Sequence, residues 1–124
     1  KSNKQIMLLL VKTIIFLGIM NVWFVRSKTK TKWRGGNSLT LKDEFQFYAL
    51  PDWTFYFVGG TKILSAMFIF LSIWIEEVPQ EIFAIILSLL MIFAILMHLK
   101  VGDKLIKSLP ALFMLLCSVI ILNI

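Results

Sequence analysis

The chain is 124 residues long, enough for one domain. It is 59% apolar and 16% charged, with a mean hydropathy of +0.87, where soluble domains carry about a quarter charged residues. That composition excludes a water-soluble globular domain and identifies an integral membrane protein. The formal charge of +6 fits the enrichment of Lys and Arg in short cytoplasmic loops, so nucleic acid is not an expected partner. Cys117, the single cysteine, excludes an internal disulfide, a CxxC redox pair and a cysteine zinc site. It reads as an apolar packing residue.

The first apolar run, Gln5–Val25, ends in FVRSKTK. That is a stop-transfer pattern with no small-residue cleavage site before it, so the run is expected to remain as a span. Lys12 interrupts it about two turns in and is expected to snorkel towards the headgroups. A long loop follows, from Arg26 to Trp53. Arg26, Lys28, Lys30, Lys32 and Arg34 make its first part basic, and anionic lipid headgroups are their expected contact. Thr40 and Asp43 have capping-box spacing, and Leu41, Phe45, Tyr48 and Ala49 recur at helical spacing. A short amphipathic helix over 41–49, lying in the membrane interface, is predicted.

Three further spans are predicted at Thr54–Ile75, Ile82–Leu99 and Leu105–Ile124, each near the ~20 residues needed to cross the hydrocarbon core. EEVPQE forms a tight acidic turn between the second and third, and KVGDK a tight basic turn between the third and fourth. Small and polar residues give each span one packing face. The expected architecture is all-α: a single membrane domain over 1–124, built as a four-helix bundle with the interfacial helix between helices one and two. Nine Lys and Arg fall in the two loops on one side, against Lys1 and Lys4 on the other. This balance predicts the long loop on the cytoplasmic side and both termini outside.

Ionisable groups inside spans are costly and are functional candidates by default. Lys62 lies on the packing stripe of the second span and needs a carboxylate or carbonyl partner; Asp103, Glu44 and Asp43 fall on its side. His98 sits one turn from the end of the third span, where it could hydrogen-bond a quinone carbonyl or be an ordinary satisfied histidine. A second His does not occur, so bis-His haem ligation within one chain is excluded, and no cluster has metal-ligand spacing. Asp103 is expected to cap the fourth helix. No catalytic motif is present. Tyr48, Lys62, His98 and Asp103 form the candidate polar pocket, with quinone as the ligand it would take.

The segments NVWFVR, KWRGG, EF..YALPDW, VGGTKILSA and MHLKVGDK..KSLPALFMLL resemble, in this order, the DoxX-like family of small bacterial membrane proteins. The matching positions are Arg34, Gly35, Glu44, Phe45, Tyr48, Leu50, Pro51, Lys62, His98, Asp103 and Pro110. Ala49 stands where relatives often have Gly, and Lys104 where Pro often follows the Asp. The resemblance implies four spans in a bacterial inner membrane and, from relatives, a subunit of a thiosulfate:quinone oxidoreductase or of other membrane redox complexes. The leading expectation is a non-catalytic accessory subunit with membrane protein partners or a second copy of itself. A quinone-linked oxidoreductase subunit using the pocket near His98 is the alternative, and a transporter of a small lipophilic molecule is a weaker one.

Overall fold

A computed structural model describes residues 2–28, 31, 33–36 and 38–124. The described residues form five α-helices and no strand. Helix α1 (Asn3–Met20) starts from a capping box at Ser2 and Gln5 and runs on as a π-helical stretch, Asn21–Val25. Helix α2 (Leu41–Phe47) is short, and α3 (Asp52–Leu71) and α4 (Gln80–Lys100) are long. A 3₁₀ turn, Leu105–Ser108, leads into α5 (Leu109–Asn123), which carries Pro110 in its first turn, where a missing N–H costs nothing.

Four helices, counting α1 with its π-helical extension and α5 with its 3₁₀ turn, are long and apolar enough to cross a membrane. At most 28% of each one's apolar stretch is buried. Their outer faces are therefore apolar surface that needs lipid, as a membrane bundle requires. Helix α1 packs on α3 and α5, and α4 packs on the same two, so the four close into a square. Val11, Ile15, Ile19, Ala66, Ile69, Ala84, Leu87, Met91, Cys117 and Ile121 fill its centre. Phe16 stacks on Phe70 at 4.2 Å and Phe68 on Phe83 at 4.8 Å, tying α3 to α1 and to α4.

The span boundaries depart from expectation at one end above all. Helix α3 stops at Leu71 rather than Ile75, where the Ser72 hydroxyl takes the Ile69 carbonyl and the chain continues in turns. Lys12 does not lie along the lipid face: it is buried in the bundle, within electrostatic reach of Glu81. Helix α2 starts where the spacing places it, with the Asp43 N–H donating to the Thr40 hydroxyl. Its apolar face turns onto protein rather than lipid, for Leu41 and Phe45 are buried against Val58, Trp23 and Phe55.

Helices α2 and α4 end in the same way. At α2 the Leu50 N–H reaches the Phe45 carbonyl and the Ala49 N–H that of Gln46. At α4 the Asp103 N–H reaches the His98 carbonyl and the Gly102 N–H that of Leu99. Both are Schellman endings, which require a left-handed residue just past the helix. Gly102 takes that conformation freely at φ 73°, whereas Ala49 takes it at φ 61° with a Cβ in the way.

Candidate functional site

The Schellman ending of α4 explains the first half of the site. Its backbone bond from Asp103 to His98 brings residues five apart in sequence face to face. The side chains then meet as well, with His98 Nδ1 2.8 Å from Asp103 Oδ2. Asp103 therefore does not cap the fourth span: its carboxylate turns back to α4, and the 3₁₀ turn begins with no side-chain cap. The carboxylate can only accept, which places a proton on Nδ1. Burial raises the energy of the charged carboxylate, but bonds from His98 and the Gly36 N–H, with Lys107 close by, outweigh it and hold Asp103 below the usual carboxylate range.

Loop one supplies the second half by folding back onto the bundle. The Gly35 N–H donates to Glu44 Oε2, and the Gly36 N–H donates to Asp103 Oδ1 at 3.0 Å. Lys107 Nζ donates to the Gly36 carbonyl at 2.6 Å. Three backbone groups of two adjacent glycines are thus held by side chains from α2, the turn after α4 and the 3₁₀ turn before α5. Glycine is required at both places. A Cβ on Gly35 would stand 2.5 Å from the Tyr48 hydroxyl, and Gly36 has φ 55° with the Phe47 ring against it.

Tyr48 joins the halves. Its hydroxyl lies 3.2 Å from His98 Nδ1 and 3.5 Å from Nε2, with the Glu44 carboxylate near enough to act on it electrostatically. Lys100 Nζ donates to the Tyr48 carbonyl at 3.0 Å, fixing the end of α2 to the end of α4. Burial, then the neighbouring Glu44 and Asp103 carboxylates, push the Tyr48 phenol far above its ordinary range, so it stays protonated and able to donate. Burial also raises Glu44, against the pull of the Gly35 N–H, His98, Arg34 and Lys62. Lys62 places its ammonium 5.8 Å from the Trp23 ring centre, a cation–π distance. Glu44, not Asp103, is the carboxylate that attracts it.

These groups surround one end of a cavity of about 490 Å³. Tyr48, Lys62, His98, Glu44, Asn21 and Arg26 line it on the polar side, and Ile19, Val22, Met91, Ala94, Phe113 and Met114 on the apolar side. The π-helical stretch of α1 is part of this wall. Its Arg26 N–H to Asn21 carbonyl bond, 2.8 Å, spans five residues and inserts an extra one into the turn. Trp23 can then lie flat on Gly59, whose missing Cβ makes the space.

Of the four residues expected to form a pocket, Tyr48, His98 and Asp103 are joined by hydrogen bonds and Lys62 lines the same cavity as Tyr48 and His98. The basic run behaves differently from expectation. Arg34 is buried, with its guanidinium donating to the Arg26 and Leu39 carbonyls, so it shapes the loop rather than meeting headgroups. Arg26 is partly buried at the cavity wall. Lys28 is exposed, and Lys30 and Lys32 lie outside the described residues. Glu44 was weighed only as a counter-charge for Lys62, yet it connects Gly35, Tyr48 and Lys62. The signal for that was its place one helical turn before Tyr48 on the same face.

A cavity of this size with apolar walls and a few converging polar groups has the character of a small-molecule site. The polar end offers donors for a carbonyl or an anion: the Tyr48 phenol and the Lys62 ammonium. Among the described residues no group of His, Cys, Asp and Glu could hold a metal ion. Neither a curated protein nor a solved structure matches the chain. A family model does, over residues 7–120. The four spans and this match, which covers nearly the whole chain, make it a multi-pass membrane protein that belongs to the DoxX-like family.

Proposed function

We propose that the chain is a quinone-binding subunit of a membrane redox complex, with the quinone headgroup held between Tyr48, His98 and Lys62. One observation carries this reading: the cavity walls are mostly apolar, and Tyr48, His98 and Lys62 are among the polar groups that line them. A quinone has that division, with carbonyl oxygens on a ring that is otherwise apolar. Tyr48 and Lys62 donate to one carbonyl oxygen. Full reduction of a quinone takes two electrons and two protons, and the Asp103–His98–Tyr48 chain offers a proton route to that oxygen. The electrons come, in this reading, from a partner protein in the same membrane, which keeps the subunit role that the family resemblance implies.

The basic loop one and the α4–α5 turn occupy one end of the bundle, joined by the Gly36–Asp103 bond. By the Lys and Arg balance this end faces the cytoplasm, and the site with it. Labelling of single cysteines placed at Lys28 and near Ile124 tests that orientation; labelling of position 28 from outside overturns it.

The test of the ligand is the quinone content of protein extracted gently from its own membrane, by mass spectrometry. Tyr48→Phe keeps the ring packing and removes one donor, which weakens binding about 2- to 10-fold. His98→Ala removes the group that positions the Tyr48 hydroxyl and lowers quinone content further. Equal quinone content in wild type and both variants, or none in any of them, refutes the reading.

A further inference from the structure

The cavity does not end inside the bundle. Gly18, Asn21 and Val22 of α1 and Leu109, Pro110 and Phe113 of α5 belong to the same walls as Tyr48 and His98. Phe113 is 50% exposed and Leu109 45% exposed. Both lie in a membrane-spanning segment, so the surface they expose is surface that lipid covers. A side chain that lines a cavity and also faces lipid makes the wall there one residue thick. This thin wall lies where α1 meets α5. There Gly18 receives the end of the Met114 side chain in the space a Cβ would fill. Methionine is flexible and adapts to what lies against it, so this sill is deformable.

We propose that the gap between α1 and α5 is a lateral portal: the apolar tail of a membrane-dissolved ligand leaves through it into the bilayer while the head lies at Tyr48 and His98. This rests on the headgroup reading above and narrows it to tail-bearing ligands that arrive from the lipid. Lipid chains and apolar side chains are equivalent surroundings for such a tail. The portal therefore adds little affinity, and its role is to spare the tail from being folded into the cavity. A ligand without a tail does not need it.

The experiment compares a tailless benzoquinone with its decyl-substituted form on protein in lipid nanodiscs. Wild type is measured beside Gly18→Leu, which drives Met114 into the gap, and Phe113→Trp, which adds bulk at its outer edge. The expected result is that wild type binds both quinones. Each folded variant then loses about tenfold more affinity for the decyl form than for the tailless form, the scale of an overpacked site. Phe113 is half exposed, so its variant carries the test if Gly18→Leu does not fold. If the variants keep both affinities, or lose both equally, the portal is refuted and the headgroup site stands. If wild type binds neither quinone, the headgroup reading fails and the portal fails with it.

Discussion

Replacing Asp103 with Asn tests whether the site is held together as described. The wild-type carboxylate is 7% exposed and accepts from His98 Nδ1 at 2.8 Å and from the Gly36 N–H at 3.0 Å, with Lys107 Nζ 3.9 Å away. Hydrogen bonds to a charged group contribute about 1.5–3 kcal/mol each, so the two together amount to roughly 3–6 kcal/mol. An Asn keeps one accepting oxygen but turns an NH₂ towards a second donor. The expected loss is therefore about 2–4 kcal/mol. The sign with pH follows from the depressed Asp103. A carboxyl lowered in the folded state contributes stability that is present above its unfolded value, about 3.9, and is lost as pH falls from there through the folded value. Asp103→Asn lacks that part of the acid dependence, so the two proteins converge below pH 4. The assay is unfolding in mixed micelles by titration with denaturing detergent, at pH 7 and pH 3, followed by tryptophan fluorescence. Labelling of a cysteine placed at Ser38 reports release of the loop in parallel. Equal midpoints and equal labelling at pH 7 refute the reasoning.

The same unfolding assay checks three more expectations. Ala49→Gly removes a left-handed penalty of about 1–2 kcal/mol, offset by about 0.5–1 kcal/mol of glycine's extra unfolded freedom. It raises stability by about 0.5–1 kcal/mol, and a loss shows that the Cβ contributes packing the φ angle does not reveal. Gly35→Ala places a methyl against the Tyr48 ring and costs about 1–3 kcal/mol, with Tyr48 displaced from His98; an unshifted midpoint means the loop moves freely. Ser88→Ala removes a buried hydroxyl oxygen that has no hydrogen-bond partner among the described residues and raises stability by about 1 kcal/mol, so a clear loss reveals a partner such as water.

The spans were legible because lipid imposes a length and a polarity that show directly in the sequence. The start of α2 was legible for a local reason too, since Thr40 and Asp43 have capping spacing. What periodicity does not hold is how loop one folds back. Gly35 and Gly36 carry no pattern that ties them to other elements, yet the groups that hold them come from residues 44, 103 and 107. Arg34 read as a headgroup contact for the same reason: its acceptors are carbonyls of its own loop, and no charge pattern reveals those. The pairing of His98 with Asp103 was within reach. A glycine four residues past the His, at the helix end, followed by an acid, is the spacing of a Schellman ending, and reading Asp103 forwards as a cap hid it.

The grip on Gly35 and Gly36 also determines how this region can vary over evolutionary time. Its partners hold main-chain N–H and C=O groups, which every residue type except proline carries. Apart from Arg34, whose guanidinium ties the Arg26 and Leu39 carbonyls, side chains between Arg26 and Gly35 can therefore change without touching these backbone contacts. Selection acts on the two positions through shape alone. A loop anchored in this way is suited to diversify on its outer side while the pocket beneath it stays the same.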